Sequence, residues 1–301
     1  MTFKERLNRY FGSDIPNKKK IKVNPKIDLD KLFLQEDKKQ VYRTNNIQNI
    51  PYRIHRTGGK NSYAEWAHVI GIFQTLIYQQ LEKKEANKIL DIGCGSGLLS
   101  MAAQNFIEGD GFYLGIDINR KEIDFCKNYY THPNFIFKHI DANNALYANN
   151  QLKTNVKWDI NNNSIDLITA LSVWTHLNEN DALFYFKEIK RVLKKNGKAI
   201  ITFFYLDDLY RKSLSVRKNI KGKYHSTSQL EWIFDKSAYE SKEWFYPSIL
   251  DVPEKAIGVT EGGIAMLLKE SGLKLIEYYP GNWKEIPSVF FQDIIIIQKA
   301  I

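Results

Sequence analysis

From Asn61 onward the chain alternates between helical and extended patterns of apolar residues. Tyr63, Trp66, Ile70, Phe73, Ile77 and Leu81 recur at the spacing of one helical face. Ser62 and Glu65 form a capping box ahead of them, so an amphipathic helix is predicted there. KILDI (88–92) is a short apolar run suited to a buried strand, and it leads through a glycine-rich turn into the helical stretch LLSMAAQNF. YLGIDI (113–118) predicts a second strand, followed by a helix from Arg120 through Tyr129. Two strand and helix pairs within about 40 residues imply parallel strands joined by right-handed crossovers.

NFIFKHI (134–140), SIDLITAL (164–171) and KAIITFFYL (198–206) supply three more strands. Between the last two, a helix from about Glu179 to Leu193 is expected to stop at Lys194-Lys195-Asn196-Gly197, where cations meet the helix C-terminus and a glycine ends it. Residues 207–258 break the rhythm with mixed charge and many aromatics, including Trp232, Phe234, Trp244 and Tyr246, and read as an insertion that covers the functional site. IAMLLKESG then predicts a helix with a glycine stop, and LKLIEYY and FFQDIIIIQK bring the strands to seven. Residues 1–60 differ: KKKIKVNPK is polar and apolar spots such as Leu32-Phe33-Leu34 are short, so an N-terminal extension is expected before a body spanning 61–301. No repeat of fixed period is visible.

Length and composition allow this α/β reading, because 301 residues with 44% hydrophobic content can bury a sizeable core. The opening MTFKERLNRYFGSD has no uninterrupted apolar stretch for a secretory leader, and no later run approaches the roughly 20 apolar residues that cross a bilayer. A soluble, cytoplasmic protein without a membrane span is expected. Cys94 and Cys126 are too few for a disulfide framework and lack paired spacing for zinc, so no metal is expected. Residues 1–60 carry 15 Lys and Arg against 6 Asp and Glu, which accounts for the whole net charge of +9 and leaves 61–301 neutral. Such an extension suits phosphate, an acidic membrane surface or an acidic substrate, or is simply a solvated tail. The neutral body disfavours a nucleic-acid partner.

Asp91-Ile92-Gly93-Cys94-Gly95-Ser96-Gly97 sits where the first strand must turn into a helix. Glycines permit the tight turn and let a ligand press on backbone, and the N–H groups of the helix start attract an anion. The dinucleotide fingerprint is Gly-x-Gly-x-x-Gly, with room for a pyrophosphate, whereas this is Gly-x-Gly-x-Gly behind a carboxylate. Asp91 would repel pyrophosphate but suits a ligand bearing an amino-acid group and a sulfonium. Asp117 ends the second strand twenty residues after Gly97, where a carboxylate accepts from ribose hydroxyls. Asp141 follows the third strand at the same edge and can accept from an adenine amino group.

Through ILDIGCGSG, LGIDI, the Asp141 segment and IDLITALSVWTHL, residues 61–299 resemble the class I S-adenosylmethionine-dependent methyltransferases. The resemblance implies a Rossmann-like seven-stranded sheet, order 3-2-1-4-5-7-6 with strand seven antiparallel, and helices on both faces. It places Gly93 to Gly97 beneath the methionine part, Asp117 with Ile118 at the ribose, and Asp141 with Ala142 near adenine. Leu171 and Tyr63 complete the candidate cofactor contacts. SVWTHL, TFFYLDD and GNWKEIPSVFFQDIIIIQK look like a bacterial group often associated with small-molecule or glycan methylation. S-adenosylmethionine would be the cofactor and S-adenosylhomocysteine the product.

Methyl transfer is an in-line displacement, so the protein's main task is to hold a nucleophile against the methyl carbon. His176 follows strand four, where the mouth of such a sheet faces its ligand, and is the candidate general base; the alternative is a helix-capping or loop-orienting histidine. Tyr63, Trp66 and Trp174 offer aromatic faces to a sulfonium, although core packing explains the first two equally well. Arg56, Trp174, Tyr205, His225 and Trp244 are candidate acceptor contacts. ALSVWTH replaces the Asn/Asp-Pro-Pro-Tyr/Phe signature of amino methyltransferases acting on nucleic-acid bases. O-methylation of a sugar, nucleotide-linked sugar or other small polar metabolite is therefore favoured. The alternatives are an RNA or protein methyltransferase using the basic arm, and a non-catalytic protein that keeps the ligand. Neither cysteine is assigned a nucleophilic role.

Overall fold

The computed structural model describes residues 47–57, 60–142 and 155–300. The basic stretch through Asn46, Leu32-Phe33-Leu34 included, lies outside the described residues. Helix α1 (Tyr63–Gln80) starts where Ser62 Oγ accepts from Glu65 N at 3.0 Å, and it buries Trp66, Val69, Ile70, Phe73 and Ile77. Tyr63, expected on that face, is 44% exposed.

Five parallel strands follow: β1 (Lys88–Ile92), β2 (Phe112–Asp117), β3 (Phe135–His139), β4 (Ile165–Ala170) and β5 (Leu193–Leu206). They lie side by side as β3-β2-β1-β4-β5. Helices α2 (Leu98–Ala103), α3 (Arg120–Tyr129) and α4 (Glu179–Val192) connect them. Four more strands come later in the chain: the short β6 (Lys236–Ser237), β7 (Trp244–Tyr246) and β8 (Gly258–Thr260), and the longer β9 (Leu273–Tyr279). Strand β10 (Asp293–Lys299) runs antiparallel to β5 and pairs on its other side with β9. Counting β9 and β10 as sixth and seventh, the order is the expected 3-2-1-4-5-7-6 with the seventh antiparallel.

Alternation along the strands divides the interior in two, as a period of two requires. Ile89, Leu167, Ile200, Ile294 and Ile296 pack under α1, α2 and α3, whereas Leu90, Ile168, Ile201, Ile295 and Ile297 pack under α4 and α6 (Glu261–Ser271). Helices therefore cover both faces. Gly272 ends α6 in the left-handed region, at φ 68°.

Two local expectations fail for identifiable reasons. Lys194 to Gly197 do not form a helix stop, because α4 already ends at Val192 and Leu193 pairs with Ile165 as the start of β5. Lys198 next pairs with Leu167, so the residues between bulge outward. At Gly197 a Cβ would sit 2.9 Å from the Ile165 carbonyl oxygen, so this glycine serves a close approach of two strands. The second difference is the insertion. Strand β5 continues past Phe203, where its pairing with β10 ends, and Phe204–Leu206 pair in parallel with β8. Strand β7 joins β8 and β6 joins β7, both antiparallel. Three strands thus stand beyond the seven expected. The insertion also carries α5 (Asp208–Leu214), and Phe204, Leu206, Tyr210, Phe234 and Trp283 form a third core beneath it.

Candidate active site

Ligands of open α/β sheets gather at the C-terminal ends of the parallel strands. A cavity of about 1110 Å³ opens at that edge. Its floor is the turn after β1, where Gly93, Gly95 and Gly97 all take left-handed backbone, with φ of 65°, 50° and 84°. A Cβ at Gly93 would stand 2.5 Å from Val173 Cγ2, so glycine lets the loop after β4 close over the turn. The amides of the turn are used differently from the expected anion site. Gly93 N and Cys94 N donate to Ile116 O at 2.8 and 3.1 Å, and Gly95 N donates to the Asp117 carboxylate at 2.8 Å. They tie the turn to β2 instead of pointing at a ligand.

Asp117 also accepts from Asn119 N at 2.7 Å; burial raises its pKa, and these backbone hydrogen bonds oppose the shift. Asp91 lies deeper, accepting from Tyr113 Oη at 2.5 Å and Thr169 Oγ1 at 2.7 Å. Its burial pushes the pKa up to about 7, with those two hydrogen bonds pulling it down and the Asp117 charge adding to the rise. Burial drives the Cys94 thiol well above its usual range, so it has no thiolate to offer at neutral pH.

The loop after β4 forms the opposite wall. Ser172 takes the left-handed region at φ 61°, unusual for a residue with a Cβ, and three bonds hold it there. Its N–H donates to Thr202 Oγ1 at 2.7 Å, Thr202 donates to Gln292 Oε1 at 2.7 Å, and Gln292 Nε2 donates to Ser172 Oγ at 2.9 Å. His176 closes a short 3-10 turn, with Nδ1 2.6 Å from the Glu254 carbonyl oxygen. A carbonyl can only accept, so Nδ1 carries the proton and Nε2 the lone pair. Burial lowers the His176 pKa, partly offset by this bond, and the charge of Lys60 lowers it further.

Among the sequence-predicted residues, the cavity brings together Asp91, Gly93, Cys94, Gly95, Ser96, Asp117, Ile118, Ala142, Leu171, Trp174, His176 and His225. Gly97 stands just behind, capping α2 against the Tyr130 ring. Five others lie elsewhere. Tyr63 donates to Ile47 O at 2.9 Å, and its ring stacks under Arg56, which in turn holds Pro51 O and Asn61 O. Asp141 is exposed beyond β3. Trp244 is fully buried in the core beneath α6, and Tyr205 packs against Tyr278 and Lys284.

Several lining residues were not singled out from the sequence: Thr57, Lys60, Glu122, Ser172, Phe204, Phe291 and Gln292. Thr57 Oγ1 meets Ser96 Oγ at 3.1 Å. For Gln292 a signal existed. An antiparallel last strand begins at the edge where its parallel neighbours end, so the residue before Asp293 must reach the site. From the insertion, Tyr224 to Thr227, Trp232 and Lys255 also line it. His225 there binds Glu285 at 2.7 Å and Thr227 at 2.9 Å.

Among known proteins, residues 90–201 match the family described as a methyltransferase domain. Over 140 residues, 46% of this chain, the sequence is 26% identical to arsenite methyltransferase of Mus musculus. Over 110 residues, 36% of this chain, it is 34% identical to ubiquinone biosynthesis O-methyltransferase of Pelagibacter ubique. The chain spans 35% and 39% of those relatives' lengths, little more than a third. The crystal structure of the PH0226 protein from Pyrococcus horikoshii shares the fold, with a TM-score of 0.51 and 18% identity over 80% of this chain and 93% of that one. The matched segment runs from β1 into β5 and carries the glycine turn and the strand ends around the cavity, so this part of the chain is similar to a methyltransferase domain.

Proposed function

We propose that the protein moves the methyl group of S-adenosylmethionine to a hydroxyl oxygen of a sugar, a nucleotide-linked sugar or another small polar metabolite, releasing S-adenosylhomocysteine. The observation that carries this reading is the continuity of the cavity from Asp117 and the glycine turn to His176 and the insertion. Its volume of about 1110 Å³ lies at the top of the ~300–1,000 Å³ range of small-molecule pockets, enough for a small acceptor beside the cofactor. The lining suits the cofactor: the glycine turn forms a floor without bulky side chains at the end of β1, and Asp117 stands at the end of β2 with a carboxylate that can accept from ribose hydroxyls. When bound, S-adenosylmethionine supplies an electrophilic methyl on a sulfonium. His176, neutral and with its lone pair on Nε2, takes the acceptor hydroxyl proton as the new C–O bond forms. With two cysteines, both buried, the chain presents no thiol cluster for arsenite. We place the activity in the cytoplasm, where unpaired thiols stay reduced. None of the described helices is long and apolar enough to cross a membrane.

The test is release of S-adenosylhomocysteine across a library of sugars, nucleotide sugars and phosphorylated metabolites. Cofactor binding without turnover on any of them would favour a regulatory protein instead. His176→Ala is expected to lower turnover by about 100- to 10,000-fold and leave the S-adenosylhomocysteine Kd unchanged; a fully active variant removes His176 as the base.

Asp91 yields a prediction of pH dependence. With its pKa near 7, it gains negative charge as pH rises through neutrality and then attracts the sulfonium, which the demethylated product lacks. The affinity ratio of S-adenosylmethionine to S-adenosylhomocysteine is expected to rise roughly three- to tenfold between about pH 6 and about pH 8. Calorimetry with both ligands at each pH measures it, and a constant ratio would separate Asp91 from the sulfonium.

A further inference from the structure

Asp91 is gripped by the strands on either side of it. It pairs directly with Thr169 on β4 and with Gly115 on β2, and Tyr113, two residues before Gly115, shares that face of the sheet. Gly115 puts no side chain beside the carboxylate; a Cβ there would stand 2.9 Å from Cys94 Sγ. The long Tyr113 side chain instead crosses diagonally to Asp91, within the reach of such pairs. Thr169 Oγ1 donates to Asp91 Oδ1 and Tyr113 Oη to Asp91 Oδ2, so each carboxylate oxygen has its own hydroxyl donor.

Tyr113 is fully buried, with its ring 5.4 Å from Phe135 and 5.8 Å from Phe137 in the core under α1, α2 and α3. Phenylalanine would fill that place as well, so what the tyrosine adds is the bond to Asp91. Asp91 lines the cavity, and the two hydroxyls stand behind it. A carboxylate accepts and cannot donate, so two O–H donors favour its ionised form over the acid. Burial works against them, and so does the charge of Asp117 at the end of β2. The other titratable groups the pair faces are the buried thiols of Cys94 in the glycine turn and Cys126 on α3. Opposed influences of this kind leave the charge of Asp91 dependent on each donor.

We infer that Tyr113 and Thr169 are positioning residues through which the protein tells S-adenosylmethionine from S-adenosylhomocysteine: their hydroxyls hold Asp91 as an anion toward the sulfonium. The demethylated product lacks that positive charge and gains nothing from the anion, so the grip on Asp91 favours the exchange of product for fresh cofactor. This rests on the methyltransferase reading above and on Asp91 facing the sulfonium. It adds the two side chains that set the acid's charge without touching the ligand.

Calorimetry on the full chain with each ligand, from about pH 6 to about pH 9, tests the inference. In the wild type the affinity ratio of S-adenosylmethionine to S-adenosylhomocysteine is expected to rise through neutrality. Tyr113→Phe removes one donor and is expected to move that rise upward by about one to two pH units, with the S-adenosylhomocysteine Kd within about threefold of wild type. Thr169→Val is expected to move it in the same direction, whereas Thr169→Ser keeps the donor and leaves it in place. A purely structural role would weaken both ligands alike and shift nothing. The inference is overturned by a rise that stays put in both donor-deleted variants, or by equal losses of the two ligands at every pH. Should Tyr113→Phe not fold, the two Thr169 variants decide by themselves. A wild-type ratio flat in pH would sink the Asp91 contact and this inference with it, and failure of the wild type to bind either ligand would sink the methyltransferase reading itself.

Discussion

Lys284→Met is expected to reduce the free energy of unfolding by about 3–5 kcal/mol, the cost of stripping the counter-charge from buried carboxylates. Lys284 Nζ lies fully buried, 2.9 Å from Asp207 Oδ1, 2.8 Å from Asp293 Oδ1 and 2.6 Å from Tyr278 Oη. Each partner holds something else in place. Asp207 caps α5 through Tyr210 N, and Asp293 accepts from Tyr205 N, Gly281 N and Trp283 Nε1. Burial alone would raise the Asp207 pKa, yet the Lys284 charge and its hydrogen bonds bring it below the usual value. A carboxylate with a depressed folded pKa contributes stability above its unfolded pKa and loses it as pH falls through the folded one. The variant should forfeit that contribution at neutral pH. Urea melts at pH 7 measure it as a lower midpoint at constant m-value. A loss under about 1 kcal/mol would mean that the neighbourhood repacks around the apolar side chain.

Asp117→Ala is expected to weaken S-adenosylhomocysteine binding by about 1.5–3 kcal/mol, roughly ten- to a hundredfold in Kd. Two effects act together. The carboxylate that would accept from the ribose hydroxyls disappears, and so does the acceptor for Gly95 N and Asn119 N, which hold the glycine turn and the start of α3 in register with β2. Titration calorimetry checks the value, and an unaltered Kd would remove Asp117 from the cofactor contacts.

The glycine-turn end of the cavity was legible because its signals are local. A glycine turn, a strand-end carboxylate and the apolar runs around them lie within about 30 consecutive residues, and strand order follows from crossover handedness. The wall opposite the glycine turn is assembled from afar. Ser172, Thr202 and Gln292 meet only once β4, β5 and β10 are laid side by side, and no sequence rule gives a serine positive φ. Tyr205 and Trp244 illustrate the converse error. Aromatic character in and beside an insertion suggested ligand contact, but the core beneath α6 and the Lys284 network needed those rings for packing. Strands β6 to β8 escaped notice because runs of two or three residues are too short for alternation to register.

Strand β5 outlasts its antiparallel neighbour, and β8 takes over the vacated edge. A flap tethered by a flexible hinge swings at little cost, whereas a covering stitched into the central strand can lift only by tearing backbone hydrogen bonds from the most protected part of the molecule. The stretch that carries β8 is thereby fixed to the sheet, and any opening over the pocket falls to the parts of the insertion outside that pairing.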